Sequence, residues 1–142
     1  MKTTYITKYW LPVFVWIGVI FFFSSLPSIP GGEKNILDFI VKKSAHVTEY
    51  AIFYGLLYSA LSAQKTNSKL SPPAKGEKNV VQRGFTPFHL SFLLGLFYAF
   101  TDESHQLFIP GRTGLIRDIF FFDLTGLLLA WAILNHHYQK RK

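Results

Sequence analysis

The sequence predicts an all-α integral membrane protein, a bundle of four transmembrane helices formed by a single domain over residues 1–142. Hydrophobic residues make up 49% of the chain and charged residues only 16%. The apolar residues are also concentrated in four runs that contain no lysine, arginine, aspartate or glutamate: residues 9–32, 50–63, 84–101 and 124–134. Uncharged runs of this length are typical of membrane spans rather than of amphipathic surface helices.

The predicted spans are residues 7–25, 44–63, 86–108 and 117–136. The first span has Pro12 in its opening turns, where an α-helix tolerates proline. The second helix starts at either Asp38 or Ser44. Residues 64–85 are polar and basic and include two consecutive prolines, which predicts a flexible connection. Residues 109–114, with a Pro-Gly pair, predict a turn between the last two helices.

The distribution of basic residues predicts that both termini are cytoplasmic, because lysine and arginine accumulate on the cytoplasmic side of membrane proteins. In this orientation ten of the fifteen basic residues lie inside and five lie outside. The inner ten are Lys2, Lys8, Lys65, Lys69, Lys75, Lys78, Arg83, Lys140, Arg141 and Lys142. They suit an anionic lipid surface, so we expect membrane lipids, and not nucleic acid, as partners of this basic chain. The absence of cysteine excludes disulfides, thiolate metal sites and cysteine nucleophiles.

The last three predicted spans share a shortage of apolar residues. Their uncharged runs fall short of, or barely reach, the ~20 residues that cross the hydrocarbon. Each must therefore include polar residues, all at the predicted outer end: His46 and Glu49, then Asp102, Glu103, His105 and Gln106, then Asp118 and Asp123. A charged side chain at the bilayer centre costs about 2.5–3.5 kcal/mol on insertion scales. We therefore expect these groups to face one another or a water-filled cavity.

The spacing of the polar residues supports this convergence. Lys42, His46 and Glu49 are spaced i, i+4 and i+7, which places them on one helical face. Asp102 is on one face with the polar residues at positions 105 and 106. Glu103 lies about 100° around the helix from Asp102, so one of these two acids can face solvent. The three tryptophans and the tyrosines suit membrane-interface belts or packing.

Two ordered motifs identify a family resemblance. The segment Lys43-Ser-Ala-His46-Val-Thr-Glu49-Tyr50 resembles the K-x-x-H-x-x-E-Y signature that opens the second helix of VanZ-like proteins, and residues 102–112 are similar to that family's D-E-x-x-Q-x-x-x-P-G-R stretch. The resemblance extends over about residues 40–134. It implies a multi-pass protein of the bacterial cytoplasmic membrane. It also connects the chain with resistance to teicoplanin, an acylated glycopeptide antibiotic that acts at the outer face.

The closing helix departs from the family pattern. The family usually places its two polar positions four residues apart. Here Asp118 and Asp123 are five residues apart, and three of the four residues between them are phenylalanines. On a regular helix five residues turn about 140°. Either Asp118 precedes the helix proper, or a one-residue π-bulge restores the alignment.

These residues suggest two functions. The first is an outward-facing charged pocket that binds or modifies a lipid-anchored envelope molecule, such as a lipid-linked wall precursor or an acylated glycopeptide. Arginine suits the anionic part of such a ligand. The predicted ligand contacts are Lys43, Gln106, Arg112, Arg117, Asp118 and Asp123.

The second function is a membrane-embedded hydrolase or transferase, although no nucleophile motif is present. Its acid–base residues would be His46, Glu49, Asp102, Glu103 and His105. These carboxylates and imidazoles give only an incomplete metal-ligand pattern, so we assign no metal and no cofactor. A transporter or scramblase is disfavoured because the chain has no inverted repeat. The structural alternative for any one of these residues is an ion pair that only joins helices.

Overall fold

The computed structural model describes residues 6–27, 36–70, 86–112 and 116–140, and every regular element within these ranges is helical. The prediction of an all-helical protein is therefore confirmed. The described ranges contain four helical segments: α1 (Ile6–Ser24), α2 (Ile36–Leu70), α3 (Pro87–Gln106) and α4 (residues 116–139). The first turn of α1, Ile6–Trp10, is π-helical, as is the Ile119–Asp123 turn of α4.

Helix α2 is longer than the sequence predicted. It begins before both proposed starting points and continues seven residues past position 63, so the first part of the expected flexible connection is helical. Residues 64–70 contain neither proline nor glycine. The helix can therefore propagate until it approaches Pro72, because proline disfavours the helical conformation of the residue before it. The rest of the connection, residues 71–85, lies outside the described ranges.

The turn after α3 has the backbone that its sequence indicates. Helix α3 ends at Gln106, two residues earlier than predicted, and residues 107–111 form turns. Gly111 has a φ of 75°, a left-handed conformation that costs glycine little because it has no Cβ. This turn carries Arg112 back toward the end of α1.

Helix α2 is the central element, because it packs against each of the other three and most extensively against α4. Gly126 makes the α2–α4 approach close: a Cβ at this position would overlap the backbone carbonyl of Val47. Small residues at helix interfaces allow such close backbone contact. The buried core draws on all four helices and contains Val13, Ile20, Tyr50, Phe53, Tyr54, Leu57, Ala60, Ala99, Ile119, Leu127 and Ala130.

Successive helices run in opposite directions. At one end of the molecule the Phe88 ring of α3 contacts Tyr58 of α2 and Tyr138 of α4. At the other end His105 of α3 contacts Ser25, which directly follows α1. The polar ends of α2, α3 and α4 are therefore brought to one end of the molecule.

The outer surface is strongly apolar. Phe14, Phe22, Phe97 and Phe121 each expose more than half of their surface, and they are accompanied by many other exposed large apolar side chains. An exposed apolar surface of this extent is typical of sites that contact a membrane or another protein. Within the described ranges, two helices are long and apolar enough to cross a membrane, Ile6–Ser24 and Ile119–Gln139. The spans proposed in α2 and α3 stay predictions.

Candidate functional site

Two polar contacts join α2 to α4. Lys43 Nζ forms an ion pair with Asp118 Oδ2. Three residues further along α2, His46 Nδ1 forms a hydrogen bond of 3.0 Å with Asp123 Oδ1. Residues three apart lie on the same face of a helix. Asp118 and Asp123 therefore both face one strip of α2.

The π-helical turn Ile119–Asp123 explains how two acids five residues apart share a face. Its backbone hydrogen bond runs from the N–H of Leu124 to the carbonyl of Ile119, five residues earlier, so five residues make close to one turn. Asp118 itself is helical. Of the two explanations offered by the sequence, the structure shows the π-bulge.

A second set of polar contacts connects α3 to α1 through the turn at residues 107–112. Gln106 donates from Nε2 to Asp102 Oδ2 at 3.0 Å and accepts at Oε1 from Arg112 Nη1 at 3.1 Å. Arg112 also donates to the carbonyls of Leu26 and Phe23, at 3.0 and 2.8 Å. These carbonyls belong to the end of α1, where helix geometry leaves carbonyl groups without intrahelical partners. Arg112 therefore fastens α1 to the polar end of α3.

Glu49 of α2 interacts electrostatically with acids of α3 and α4. Its half-buried carboxylate is within electrostatic range of His46, Asp102, Asp123 and Arg112. Two of these partners lie on neighbouring helices, and Arg112 lies on the turn after α3. The sequence-based expectation that the polar helix ends face one another agrees with this arrangement.

Three buried polar atoms at this convergence have no hydrogen-bond partner among the described residues: Asp102 Oδ1, Asp123 Oδ2 and Tyr50 OH. The exposed fractions of these residues are 3%, 1% and 0%, and Tyr50 is within electrostatic range of both aspartates and of Glu49. A buried polar atom without a partner costs about 1–3 kcal/mol and calls for an explanation. We call Glu49, Tyr50, Asp102 and Asp123 the acid core.

Two other predicted acid–base residues have different surroundings. The expectation that Glu103 or Asp102 faces solvent is wrong, since both side chains are buried, with Glu103 5% exposed. The spacing of residues along α3 does not show which other helices pack against it, so it could not predict that both acids are buried. His105 contacts α1, stacking on the Phe21 ring with centroids 4.6 Å apart and hydrogen bonding to Ser25 Oγ.

Arg117 lies at the edge of the site. Its side chain is 71% exposed, and its Nε is 3.8 Å from Asp118 Oδ1. Such an exposed, long contact contributes little to stability. Within the four described ranges, no group of three or more histidine, cysteine, aspartate or glutamate side chains is arranged to hold a metal ion.

The sequence indicates no specific role for Tyr50, a member of the acid core, or for Trp16 and Tyr98, which support the acid core. Trp16 Nε1 donates to the backbone carbonyl of Glu49 at 3.0 Å, and Tyr98 OH donates to the carbonyl of Ile17 at 3.0 Å. Only Tyr50 carried a usable signal, because it closes the second-helix motif and follows His46 by four residues.

Comparison with known families adds one finding. A family model described as VanZ/LLP1 matches residues 7–136. Comparison with curated proteins gives no significant match, and comparison with solved structures gives none either. The matched region includes the whole acid core and both α2–α4 contacts.

The π-helical turn predicts how the protein responds to a change in the number of residues between Asp118 and Asp123. Deleting Phe121, which is 69% exposed, leaves the two aspartates four residues apart, about 40° around a regular α-helix. Both α2–α4 contacts can then form, so the free energy of unfolding should change little. It can be measured in detergent by SDS titration, followed by tryptophan fluorescence.

The control is an alanine inserted after Phe121. It separates the aspartates by six residues, or about 240°, so one contact must break. A buried polar group left without its partner costs about 1–3 kcal/mol, so the insertion should lower the free energy of unfolding by at least this much. A deletion variant as unstable as this insertion variant would contradict the role assigned to the π-helical turn.

Proposed function

The chain belongs to the VanZ-like family, and we propose that it is a four-helix bundle of the bacterial cytoplasmic membrane whose acid core binds or modifies a lipid-anchored molecule of the cell envelope. Family membership and two sufficiently long apolar helices together indicate a membrane protein. The match spans nearly the whole chain, so the family assignment applies to the helices that carry the acid core.

The observation that carries the proposal is a pair of buried acid oxygens, Asp102 Oδ1 and Asp123 Oδ2, that have no hydrogen-bond partner in the described part of the chain. If these acids served only to join helices, we would expect all of their buried acceptor oxygens to have hydrogen-bond partners. Ionisable groups inside a membrane are also costly to bury, and their presence there usually indicates a function. Lys43 and Asp118, at the edge of the same site, do pair directly. The unpartnered oxygens are therefore where we expect donor groups of a ligand.

The same contacts refine the chemistry of the ligand. Arg112 already donates to two carbonyls and to Gln106, which makes it a positioning residue rather than the main anion contact. The acid core offers acceptors, which match hydroxyl and amino groups. The sugar and peptide parts of a lipid-linked wall precursor, or of an acylated glycopeptide such as teicoplanin, carry such groups. Access would be through the partly exposed edge formed by His46 and Glu49.

A second candidate function is catalysis on the same class of substrate, as a hydrolase or transferase. The contact between His46 Nδ1 and Asp123 supports it, because a carboxylate that orients one imidazole nitrogen leaves Nε2 for proton transfer. Glu49 lies next to this pair and would be a second acid–base group. Analysis of the envelope lipids for a reaction product distinguishes catalysis from binding alone.

The orientation of the proposed bundle can be tested by single-cysteine labelling, since the native chain has no cysteine. We propose cytoplasmic termini, with the acid core near the outer surface. Thr113→Cys should react with a membrane-impermeant maleimide in intact spheroplasts, whereas Asn79→Cys should react only after permeabilisation. Both positions lie outside the described ranges. The reverse labelling pattern would overturn the proposed orientation.

The proposed function predicts that changes in the acid core abolish its effect on the envelope. Glu49→Gln preserves shape but removes a charge. A hydrogen bond to a charged group contributes about 1.5–3 kcal/mol, so we expect about ten-fold or greater loss of ligand affinity. The measurements are teicoplanin susceptibility of cells expressing the protein and mass spectrometry of their envelope lipids. His137→Ala, an exposed substitution far from the acid core along α4, is the matched control.

One result of this experiment would reject the proposed function. If Glu49→Gln and His46→Ala left both susceptibility and lipid composition the same as in the wild type and the control, the proposal would be rejected. If His46→Gln retained ligand affinity but eliminated a new lipid species made by the wild type, catalysis would be supported over binding alone.

A further inference from the structure

The three buried polar atoms of the acid core that have no hydrogen-bond partner among the described residues come from three different helices. Tyr50 OH belongs to α2, Asp102 Oδ1 to α3 and Asp123 Oδ2 to α4. Each of these residues is within electrostatic range of the other two, and none exposes more than 3% of its surface. The three helices therefore bring these oxygens close to one another in the interior of the protein.

The three atoms agree in hydrogen-bonding character. A carboxylate oxygen can only accept hydrogen bonds, and a tyrosine hydroxyl can accept one as well. A single ligand group that satisfies all three atoms must therefore present three donors. A primary ammonium group does so, because three N–H bonds diverge from one nitrogen. A hydroxyl group offers one donor, and a quaternary ammonium group offers none.

Negative charge is concentrated at the same place. The carboxylates of Glu49, Asp102 and Asp123 are within electrostatic range of one another, although they belong to three helices. Buried charges of one sign are costly unless cations neutralise them. The charge of the acid core therefore favours a cationic ligand group over a neutral one.

The basic residues within range of the acid core already have hydrogen-bond or ion-pair partners. Lys43 pairs with Asp118, which lies outside the acid core. Arg112 donates to one side-chain oxygen and to two backbone carbonyls. His46 bonds to the other oxygen of Asp123 and carries at most one charge. A cationic ligand would offset the cost of burying the three carboxylates, which a neutral hydroxyl group cannot do.

We propose that the envelope molecule bound by the acid core carries a primary ammonium group, which donates to Asp102 Oδ1, Asp123 Oδ2 and Tyr50 OH. Hydrogen bonds between an ammonium and a carboxylate are charge-assisted and about twice as strong as those between neutral groups. Glu49, which is partly exposed, attracts the ammonium group to the edge of the site. This assignment rests on the proposed function for the site and its lipid-anchored ligand, and it narrows that ligand to amines.

The assignment can be tested by native mass spectrometry of lipids bound to the purified full-length chain in detergent. The probes are phosphatidylethanolamine, phosphatidylcholine and phosphatidylglycerol with identical acyl chains. Their headgroups end in a primary ammonium, a quaternary ammonium and a glycerol. We expect one phosphatidylethanolamine per chain, with an affinity about ten-fold above that of either other lipid, because phosphatidylcholine lacks the donors and phosphatidylglycerol lacks the positive charge.

Two buried tyrosines on α2 give a matched pair of variants. The hydroxyl of Tyr50 has no partner among the described residues, whereas that of Tyr54, four residues further on, donates to the carbonyl of Phe88 at 3.2 Å. Tyr50→Phe should lower the affinity for phosphatidylethanolamine several-fold and leave that for phosphatidylglycerol unchanged. Tyr54→Phe should leave both affinities unchanged.

Asparagine substitutions test the charge separately, because asparagine keeps a carbonyl acceptor and a similar shape. Asp102→Asn and Asp123→Asn should each lower the affinity for phosphatidylethanolamine about ten-fold or more. Each should also remove most of the preference over phosphatidylglycerol. Circular dichroism shows whether the variants are folded, and Tyr50→Phe, which changes no charge, still tests the site if both asparagine variants are misfolded.

Three results would overturn the ammonium assignment. They are equal affinities for phosphatidylethanolamine and phosphatidylglycerol, equal affinities for phosphatidylethanolamine and phosphatidylcholine, and equal effects of the two tyrosine variants. If these results accompanied a lost envelope effect in Glu49→Gln, the ammonium assignment alone would fail.

Two other results would refute the proposed function and leave the ammonium assignment in place. One is selective binding of phosphatidylethanolamine by a chain whose Glu49→Gln variant keeps the wild-type envelope effect. The other is binding of glycerophosphoethanolamine, the same headgroup without acyl chains, as tightly as the lipid. This second result would assign the site to a free amine, whereas we expect the headgroup alone to bind much more weakly.

Discussion

The α2–α4 contact is the constraint on which the rest of the structure depends. Gly126 lets the two backbones approach, and this approach sets Asp118 and Asp123 against Lys43 and His46. Charged groups among apolar helices are tolerated only when they pair with one another or with other polar groups. The close packing and the polar contacts are therefore one arrangement: the glycine positions the acids, and the acids fix how α4 is rotated against α2.

This arrangement separates structural from functional polar groups. Arg112 and Gln106 use their donors and acceptors to tie the ends of α1 and α3 together. Asp102 and Asp123 use one carboxylate oxygen each and leave the second without a partner among the described residues. The first set holds the helix ends in place, and the second presents acceptors at a fixed position. A fixed set of acceptors is what recognition of a hydroxyl- or amine-bearing headgroup requires.

The sequence predicted the all-helical fold because charge-free runs are a property of composition along the chain. It also predicted that the polar ends meet, because three short runs need polar residues to complete a crossing. It did not predict that His46 pairs with Asp123, since that depends on helix rotation set by packing at Gly126. Likewise, Arg112 donates to backbone carbonyls at the end of α1. Every residue has such a carbonyl, so the sequence does not show which of them Arg112 contacts. Helix α2 is longer than its sequence indicates, because the polar composition of residues 64–70 is typical of a loop although these residues contain no proline or glycine to end a helix.

The pairing of His46 with Asp123 is tested most directly by a double-mutant cycle with His46→Ala and Asp123→Ala, measured as free energies of unfolding in detergent. Residues in contact show interaction energies of about 0.5–3 kcal/mol, whereas independent sites add within about 0.3–0.5 kcal/mol. The structure predicts a coupling above about 1 kcal/mol for this pair, and a smaller one for a matched cycle between His46 and Asp118. Additive effects of His46→Ala and Asp123→Ala would contradict the convergence of α2 and α4 at the acid core.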